Sequence, residues 1–120
     1  MKLHPSSHIS PITYKEGSIF LRGEHLVLPL ILTDDGECIS LSGYSKEQII
    51  ETIGQISNPE IILWANNHKT HGEMSHITQI CWNKNIGIEF IRLDEVESLH
   101  NTLLHDKRRT LLYLFDSKLV

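Results

Sequence analysis

The chain has 120 residues, of which 40% are hydrophobic and 22% are charged, and its formal net charge at pH 7 is −4. This size and composition indicate a globular protein with one core and exclude a largely disordered chain. Proteins that bind nucleic acid usually carry a basic excess or a basic stripe. The only dense basic run here is Lys107 to Arg109, so we expect no nucleic-acid partner.

The cysteines and the longest apolar run bear on the cellular compartment. Cys38 and Cys81 lie in segments with an apolar pattern, so we expect both to be buried small side chains and not reactive thiols. The opening residues MKLHPSSHISPI lack the apolar region of a secretory signal. The longest apolar run, LVLPLIL, is far shorter than the about 20 residues that span a bilayer. We therefore expect a cytoplasmic protein without a membrane span.

The first third of the sequence predicts a tail followed by short strands. Residues 1–11 have no apolar period, which predicts an extended or frayed tail, and residues 12–120 are expected to form a single α/β domain. The stretch ITYKEGSIFLRGEHLVLPLIL alternates and is interrupted by Gly17 and Gly23, a pattern typical of antiparallel strands joined by tight turns. Pro29 predicts an edge strand or a bulge. TDDG at 33–36 predicts a turn, and ECISL predicts one more strand.

From residue 45 onward, helical and strand patterns alternate. Ser45 and Gln48 fit a capping box, and EIILWA, IGIEFI and TLLYLF are apolar runs typical of strands covered on both faces. Asp94 is predicted to cap the last helix. The predicted core residues of the three helices recur at helical spacing: Ile49, Ile50, Ile53 and Ile56, then Ile77, Ile80 and Cys81, then Val96, Leu99 and Leu103. This order predicts a three-layer α/β fold with a β-rich N-terminal addition.

The stretch WANNHKTHGEMSH is the first candidate site. His68, His71 and His76, with Glu73, lie between a predicted strand and a predicted helix, where ligands often bind in open α/β sheets. Three such side chains could converge on zinc. The simpler interpretation is that Thr70 or Ser75 begins the helix and the histidines are solvated, so we expect no metal and no cofactor.

The second candidate combines amides and guanidinium groups. Asn101 lies in the last predicted helix, and Arg108 and Arg109 precede the last predicted strand. A guanidinium group suits carboxylate or phosphate, so these residues could form an anion pocket. The alternative is structural: Asn101 bonds backbone groups and the arginines pair with nearby acids. The sequence contains no recognisable catalytic motif.

Several segments together resemble one small α/β family of largely unknown function. They are YKEGSIFLRGEH, LPLILTDDG, PEIILWA, NIGIEFIRLDEV and HNTLLHDKRRTLLYLF. The family includes the mitochondrial complex I (NADH dehydrogenase) assembly factor numbered three and its bacterial and archaeal relatives. The resemblance implies a mixed central sheet flanked by helices, with a smaller N-terminal β layer.

The chain also departs from the family pattern. Trp64 to Asn66 stand where many members have Gly-x-Gly, and Glu97 and Ser98 replace a Cys-Arg pair. His100 replaces an aromatic residue, and Lys107 replaces a glycine.

The sequence thus supports two functional hypotheses. The first, implied by the resemblance, is a non-catalytic protein-interaction domain, similar to an assembly factor, whose partner is another protein during membrane-complex assembly. The second is a small-ligand or anion-binding domain, or an enzyme, that uses a crevice at the carboxyl ends of the central strands. In either case, the residues predicted to meet the partner or anion are Asn66, Asn67, His68, Arg92, Asn101, Arg108 and Arg109. A deep pocket with converging polar groups would favour the second hypothesis, and an exposed apolar surface the first.

Overall fold

A computed structural model describes residues 12–68 and 70–116. In these ranges the chain forms eight β-strands, three α-helices and one 3₁₀ helix. They are β1 (Ile12–Lys15), β2 (Ser18–Leu21), β3 (Glu24–His25), β4 (Leu30–Leu32), β5 (Cys38–Ser40), α1 (Lys46–Glu51), β6 (Ile61–Asn66), α2 (His71–Asn83), β7 (Gly87–Ile91), the 3₁₀ helix (Leu93–Glu95), α3 (Val96–His105) and β8 (Thr110–Phe115). The tail predicted for residues 1–11 lies outside the described ranges.

The strands form two sheets. The central sheet has the order β5-β4-β8-β6-β7, in which β6 runs parallel to both β7 and β8, while β4 runs antiparallel to β5 and β8. The strands β1-β2-β3 form a separate antiparallel sheet. The predicted fold class, a three-layer α/β fold with a mixed central sheet, flanking helices and an added N-terminal β layer, is confirmed.

The two faces of the central sheet carry separate apolar cores, because successive side chains of a strand point to opposite faces. On one face, Ile62 and Trp64 of β6 pack with the buried residues of α1 and α2. On the other face, Leu63 and Ala65 pack with α3 and the small sheet. Covering on both faces explains why β6 and β8 are nearly continuous apolar runs.

The N-terminal cap predicted for α1 is found in the structure, whereas the one predicted for α3 is not. The Ser45 hydroxyl accepts the Gln48 N–H (3.2 Å), and Gln48 Oε1 accepts the Ser45 N–H (2.8 Å), so the predicted capping box is confirmed. The predicted cap at Asp94 is wrong. Glu95 Oε1 instead accepts the Arg92 N–H (2.8 Å), and this bond begins the 3₁₀ helix that precedes α3.

The first two turns have the backbone expected of tight hairpins. Glu16 and Gly17 have φ angles of 51° and 82°, and Arg22 and Gly23 have 54° and 80°. Two consecutive positive φ angles form the turn whose twist matches that of the flanking antiparallel strands, and glycine at the second position suits it. These glycines therefore set the spacing of β1, β2 and β3 as the sequence predicted.

Three predictions about single residues are corrected by the fold. Cys38 is exposed, because it lies on the short edge strand β5 where little packs over it. Leu99 is 38% exposed, while His100 is buried, so the middle position of the buried stripe of α3 is His100 and not Leu99. The edge alternative predicted from Pro29 is wrong, since this residue directly precedes β4, an inner strand, and its carbonyl accepts the Leu41 N–H (3.0 Å); the bulge alternative stays a prediction. None of the helices in the described ranges has the length and hydropathy that a bilayer span requires.

Candidate functional site

The two asparagines after the central strand organise the loops at the carboxyl end of the sheet. Asn66 is fully buried at the end of β6, and its Oδ1 accepts the His68 N–H (2.9 Å). Asn67 Oδ1 accepts the Leu93 N–H (3.0 Å), which joins the loop after β6 to the segment after β7. Both side chains are therefore engaged in holding backbone.

Few residues separate β6 from α2, because Asn66 still belongs to β6 and α2 begins at His71. The cap is Thr70, whose hydroxyl accepts the Glu73 N–H at 3.2 Å. Of the two predicted caps, Thr70 and Ser75, the first is the one used.

The three histidines near this loop lie on the surface. His68, His71 and His76 are exposed. Within residues 12–68 and 70–116, histidine, cysteine, aspartate and glutamate side chains form no group of three or more that could hold a metal ion. The arrangement thus supplies solvated imidazoles at the entry of α2.

Arg92 is held by its own acidic neighbour. Its guanidinium forms a two-point contact with the Asp94 carboxylate, with Nε to Oδ1 at 3.1 Å and Nη2 to Oδ2 at 3.0 Å. Asp94 raises the pKa of Arg92, since a negative charge beside a guanidinium favours its protonated form. Two nitrogens of the Arg92 guanidinium are thereby engaged by a carboxylate of the chain.

Arg108 and Arg109 lie at the other end of the sheet. In the parallel register of β6 and β8, Asn66 lies beside Phe115 and Ile61 beside Thr110. The arginines precede Thr110, so they are separated from Asn66 by at least five residue steps, or about 16 Å at about 3.3 Å per residue. The structure therefore divides the predicted crevice between two ends of the sheet.

The arginine side chains themselves are exposed, and the ion pair found among the described residues is that of Arg92 with Asp94. The predicted pairing of Arg108 and Arg109 with nearby acids is thus not formed in the described part of the chain. The backbone of Arg109 is fixed: its carbonyl accepts the Glu60 N–H at 2.9 Å, and its N–H donates to Glu60 Oε1 at 3.3 Å. Arg108 and Arg109 are thus exposed cationic side chains, and the backbone of Arg109 is fixed by its hydrogen bonds to Glu60.

Asn101 has a structural position. Its Oδ1 accepts the Ile12 N–H (3.2 Å), and its Nδ2 donates to the Ile12 carbonyl (3.4 Å). One turn earlier on α3, Glu97 Oε1 accepts the Tyr14 N–H (2.9 Å). Together these side chains cover the outer edge of β1, the strand whose other edge pairs with β2.

The buried titratable groups are held in neutral form. Burial raises the pKa of the Cys81 thiol to about 11 and that of Tyr113 to about 12, while it lowers the pKa of His100 to about 4. Neighbouring atoms partly shield the Cys38 sulfur from water, although much of the residue is exposed, and this desolvation raises its pKa as well. Because the thiolate is the reactive form, neither thiol is prepared as a nucleophile at neutral pH.

Trp64 belongs to a buried aromatic cluster on one face of the central sheet. Its ring stacks on Tyr113 at a centroid distance of 4.9 Å and lies 4.8 Å from Phe115. All three side chains are buried beneath α1 and α2. The interior beside this part of β6 is therefore filled by aromatic rings.

An exposed surface around Trp82 was not predicted from the sequence. Trp82 on α2 is 73% exposed and borders a shallow groove of about 360 Å³. We call this groove and its rim the Trp82 surface; it is lined by Thr78, Trp82, Asn85, Ile86, Gly87 and Ile88. The sequence could have indicated this surface, because Trp82 directly follows Cys81 and lies outside the apolar stripe predicted for this helix.

Comparisons with known proteins identify the fold. No family profile matches the chain, and no curated protein matches it. A crystal structure of a protein from Bordetella parapertussis superposes with a TM-score of 0.72 at 17% identity, covering 94% of this chain and 100% of that one. A crystal structure of an outer membrane protein from Bartonella henselae gives a TM-score of 0.65 at 17% identity, with coverages of 91% and 97%.

A third similar structure carries a domain description. The solution NMR structure of a Bordetella pertussis protein, described as a Mth938-like domain, gives a TM-score of 0.65 at 16% identity, covering 96% of this chain and 92% of that one. At these identities the likeness establishes the fold alone. That fold is consistent with the small α/β family that the sequence resembles.

Proposed function

We propose that this chain is a non-catalytic protein-binding domain, and that the Trp82 surface is where its partner binds. The observation that carries the proposal is the exposure of Trp82 beside a shallow groove at the end strand of the central sheet. A largely exposed tryptophan is unfavourable in water, and tryptophan is enriched among the residues that dominate protein–protein binding energy. A shallow groove suits a protein surface better than a small molecule, which needs a pocket that encloses most of it.

The polar side chains of the predicted crevice support a binding function and not a catalytic one. Asn67 and Asn101 are occupied with backbone groups, and Arg92 is occupied with Asp94. The anion-binding alternative keeps one supporting observation, the exposed pair Arg108 and Arg109. That pair lies about 16 Å or more along the strands from the asparagines, so an anion site there would rest on the arginines alone.

The setting that we propose is the assembly of a membrane complex, with another protein as the partner. Its support is the sequence resemblance to the family that includes the complex I assembly factor. In that setting, a small domain would hold one component until the next one binds. The partner would meet an apolar surface of this chain that is otherwise left in water.

Immobilised protein tests the proposal. Three immobilised proteins are incubated with lysate of the native host: wild type, Trp82→Ala and the matched control Leu99→Ala. The control truncates an exposed apolar residue on α3. Captured proteins are identified by mass spectrometry. Each candidate partner is then purified, and its Kd is measured by calorimetry. We expect a partner that binds wild type and Leu99→Ala alike and binds Trp82→Ala at least about tenfold more weakly, as for a dominant interface residue. Equal affinity for all three proteins would show that the Trp82 surface is not the binding site.

A further inference from the structure

The end strand β7 offers an unpaired backbone edge. In the central sheet β7 pairs with β6, and no described strand pairs with its other side. The Gly87 N–H donates to the Glu60 carbonyl at 2.9 Å, so the backbone groups of Gly87 point toward β6. Because these directions alternate along a strand, those of Ile88 and Phe90 point away from β6. The edge therefore presents two N–H donors and two carbonyl acceptors, spaced for another strand.

The outer edge of β1 in the small sheet, in contrast, is protected from pairing with another strand. There, Asn101 and Glu97 of α3 bond the outward backbone groups of Ile12 and Tyr14. Among residues 12–68 and 70–116, no side chain forms such a hydrogen bond with the backbone of Ile88 or Phe90. An exposed edge is a template for pairing with another chain, so the contrast between the two edges marks β7 as the available one.

The side chains around β7 specify what a paired strand must carry. Ile88 and Phe90 are half-buried on the same face of the sheet as α2 and the Trp82 surface. Glu89 lies between them, so its exposed carboxylate projects from the opposite face. A strand laid along β7 would therefore place alternate residues beside the tryptophan and beside the glutamate. Apolar side chains fit the first positions and basic side chains fit the second.

We propose that β7 accepts an extended segment of a partner protein as a sixth strand of the central sheet, with apolar and basic residues in alternation. The apolar residues cover the Trp82 surface, and the basic residues pair with Glu89. The inference rests on the proposed protein-binding function and names the form that the partner takes there. Main-chain hydrogen bonds then supply affinity and the two kinds of side chain supply specificity.

A second copy of this chain fits the edge less well. Two β7 strands paired antiparallel about their centre would place the two Glu89 carboxylates opposite each other. Like charges directly opposite across strands are destabilising. Inward or central charges on an edge strand are also a common protection against self-pairing. The charge of Glu89 therefore selects for a basic partner and against a β7–β7 dimer.

The probe is a synthetic peptide, acetyl-Thr-Val-Lys-Val-Lys-Val-Thr-amide, titrated into ¹⁵N-labelled protein and followed by NMR with amide hydrogen exchange. In the free protein we expect fast exchange at Ile88 and Phe90 and slow exchange at Glu89, whose N–H points toward β6. With peptide bound, Ile88 and Phe90 should become protected. Two peptides N-methylated at alternate residues provide the backbone control: the one methylated at the residues facing β7 should lose binding, and the other should keep it.

The side-chain requirement is tested by exchanging charges. We expect Glu89→Lys to weaken binding of this peptide by at least about tenfold and to restore binding of the peptide in which both lysines are replaced by glutamate. Glu24→Lys, which changes an exposed glutamate of β3, is the matched control and should bind the original peptide as wild type does. Trp82→Ala should weaken both peptides in their respective proteins.

The outcomes separate this inference from the proposed function. If the peptide or an identified partner binds through Trp82 while Ile88 and Phe90 keep exchanging fast, the chain binds proteins but does not accept a strand. If Ile88 and Phe90 are already protected in the free protein, the edge is covered by the chain itself or by a second copy, which sedimentation would distinguish, and the inference is wrong. Loss of binding by both methylated peptides would likewise exclude an added strand.

Discussion

His100 should make this protein sensitive to mild acid. The side chain lies on α3 with 2% of its surface exposed, and its Nδ1 has no hydrogen-bond partner among the described residues. Burial lowers its pKa to about 4 from the ordinary value of 6.5, while a hydrogen bond with Asn101 opposes the shift. Burial separates the imidazole from bulk solvent, so its charged form is disfavoured.

The direction and size follow from proton linkage. Above pH 6.5 His100 is neutral in the folded and the unfolded chain, so its burial carries no protonation penalty. As pH falls from 6.5 to 4, the unfolded chain binds the proton first, and the free energy of unfolding decreases. A pKa difference of about 2.5 corresponds to a loss of about 3 kcal/mol once the pH is below 4, and to about 2 kcal/mol at pH 5.

Urea denaturation followed by circular dichroism at pH 7 and pH 5 measures this loss. His100→Phe keeps a planar aromatic side chain at this buried position and cannot titrate, so its free energy of unfolding should change about 2 kcal/mol less between the two pH values than that of wild type. His105→Gln removes an exposed histidine of the same helix and should behave as wild type. Carboxylates that titrate in this range contribute equally to all three proteins and cancel in the comparison.

The reasoning would be refuted by parallel behaviour of wild type and His100→Phe. Equal losses between pH 7 and pH 5 would mean that the imidazole is charged or solvated in the folded chain. An NMR titration of the His100 ring gives an independent check, because the folded-state resonance should remain that of the neutral form at pH 5. A midpoint near 6.5 would contradict the burial of this side chain.

Four further predictions concern other positions. Lys107 has a φ of +59° after α3, so Lys107→Gly should raise the free energy of unfolding by about 1 kcal/mol, and Tm by about 4 °C, while Lys107→Ala should not. Asn101→Ala removes both bonds to the Ile12 backbone and should lower the free energy of unfolding by about 1–2 kcal/mol, with faster amide exchange at Ile12; unchanged urea midpoints would argue against this clamp. A chelator should leave Tm unchanged within about 2 °C, a shift worth a fraction of a kcal/mol, and a drop several times larger would indicate a metal held by the histidines near α2. Arg108→Ala and Arg109→Ala should each change the free energy of unfolding by less than about 0.5 kcal/mol while weakening the binding of an anionic or protein partner. If both variants unfold, the arginines are required for the fold and the anion-binding hypothesis is wrong.

The sequence by itself determined the elements and their layers. Continuous apolar runs such as EIILWA and TLLYLF are required of strands covered on both faces, so these strands could be located without coordinates. Ser45 and Gln48 form their capping box because the contact is local and depends only on residues three apart. The glycines of the first two turns are similarly local, since a positive φ is a property of the residue itself.

The tertiary structure alone decided which of these residues meet. Asn66 and Arg108 looked like parts of one site, yet β6 and β8 run parallel, so the residue that ends one strand and the residue that precedes the other lie at opposite ends. Asn101 closes an edge formed 89 residues earlier in the chain, a partner that no local pattern can name. Likewise, the strand order that leaves β7 at the end of the sheet depends on long-range pairing. Sequence periodicity reports which side of an element is buried, whereas the neighbour across a sheet edge is fixed only when the whole chain has folded.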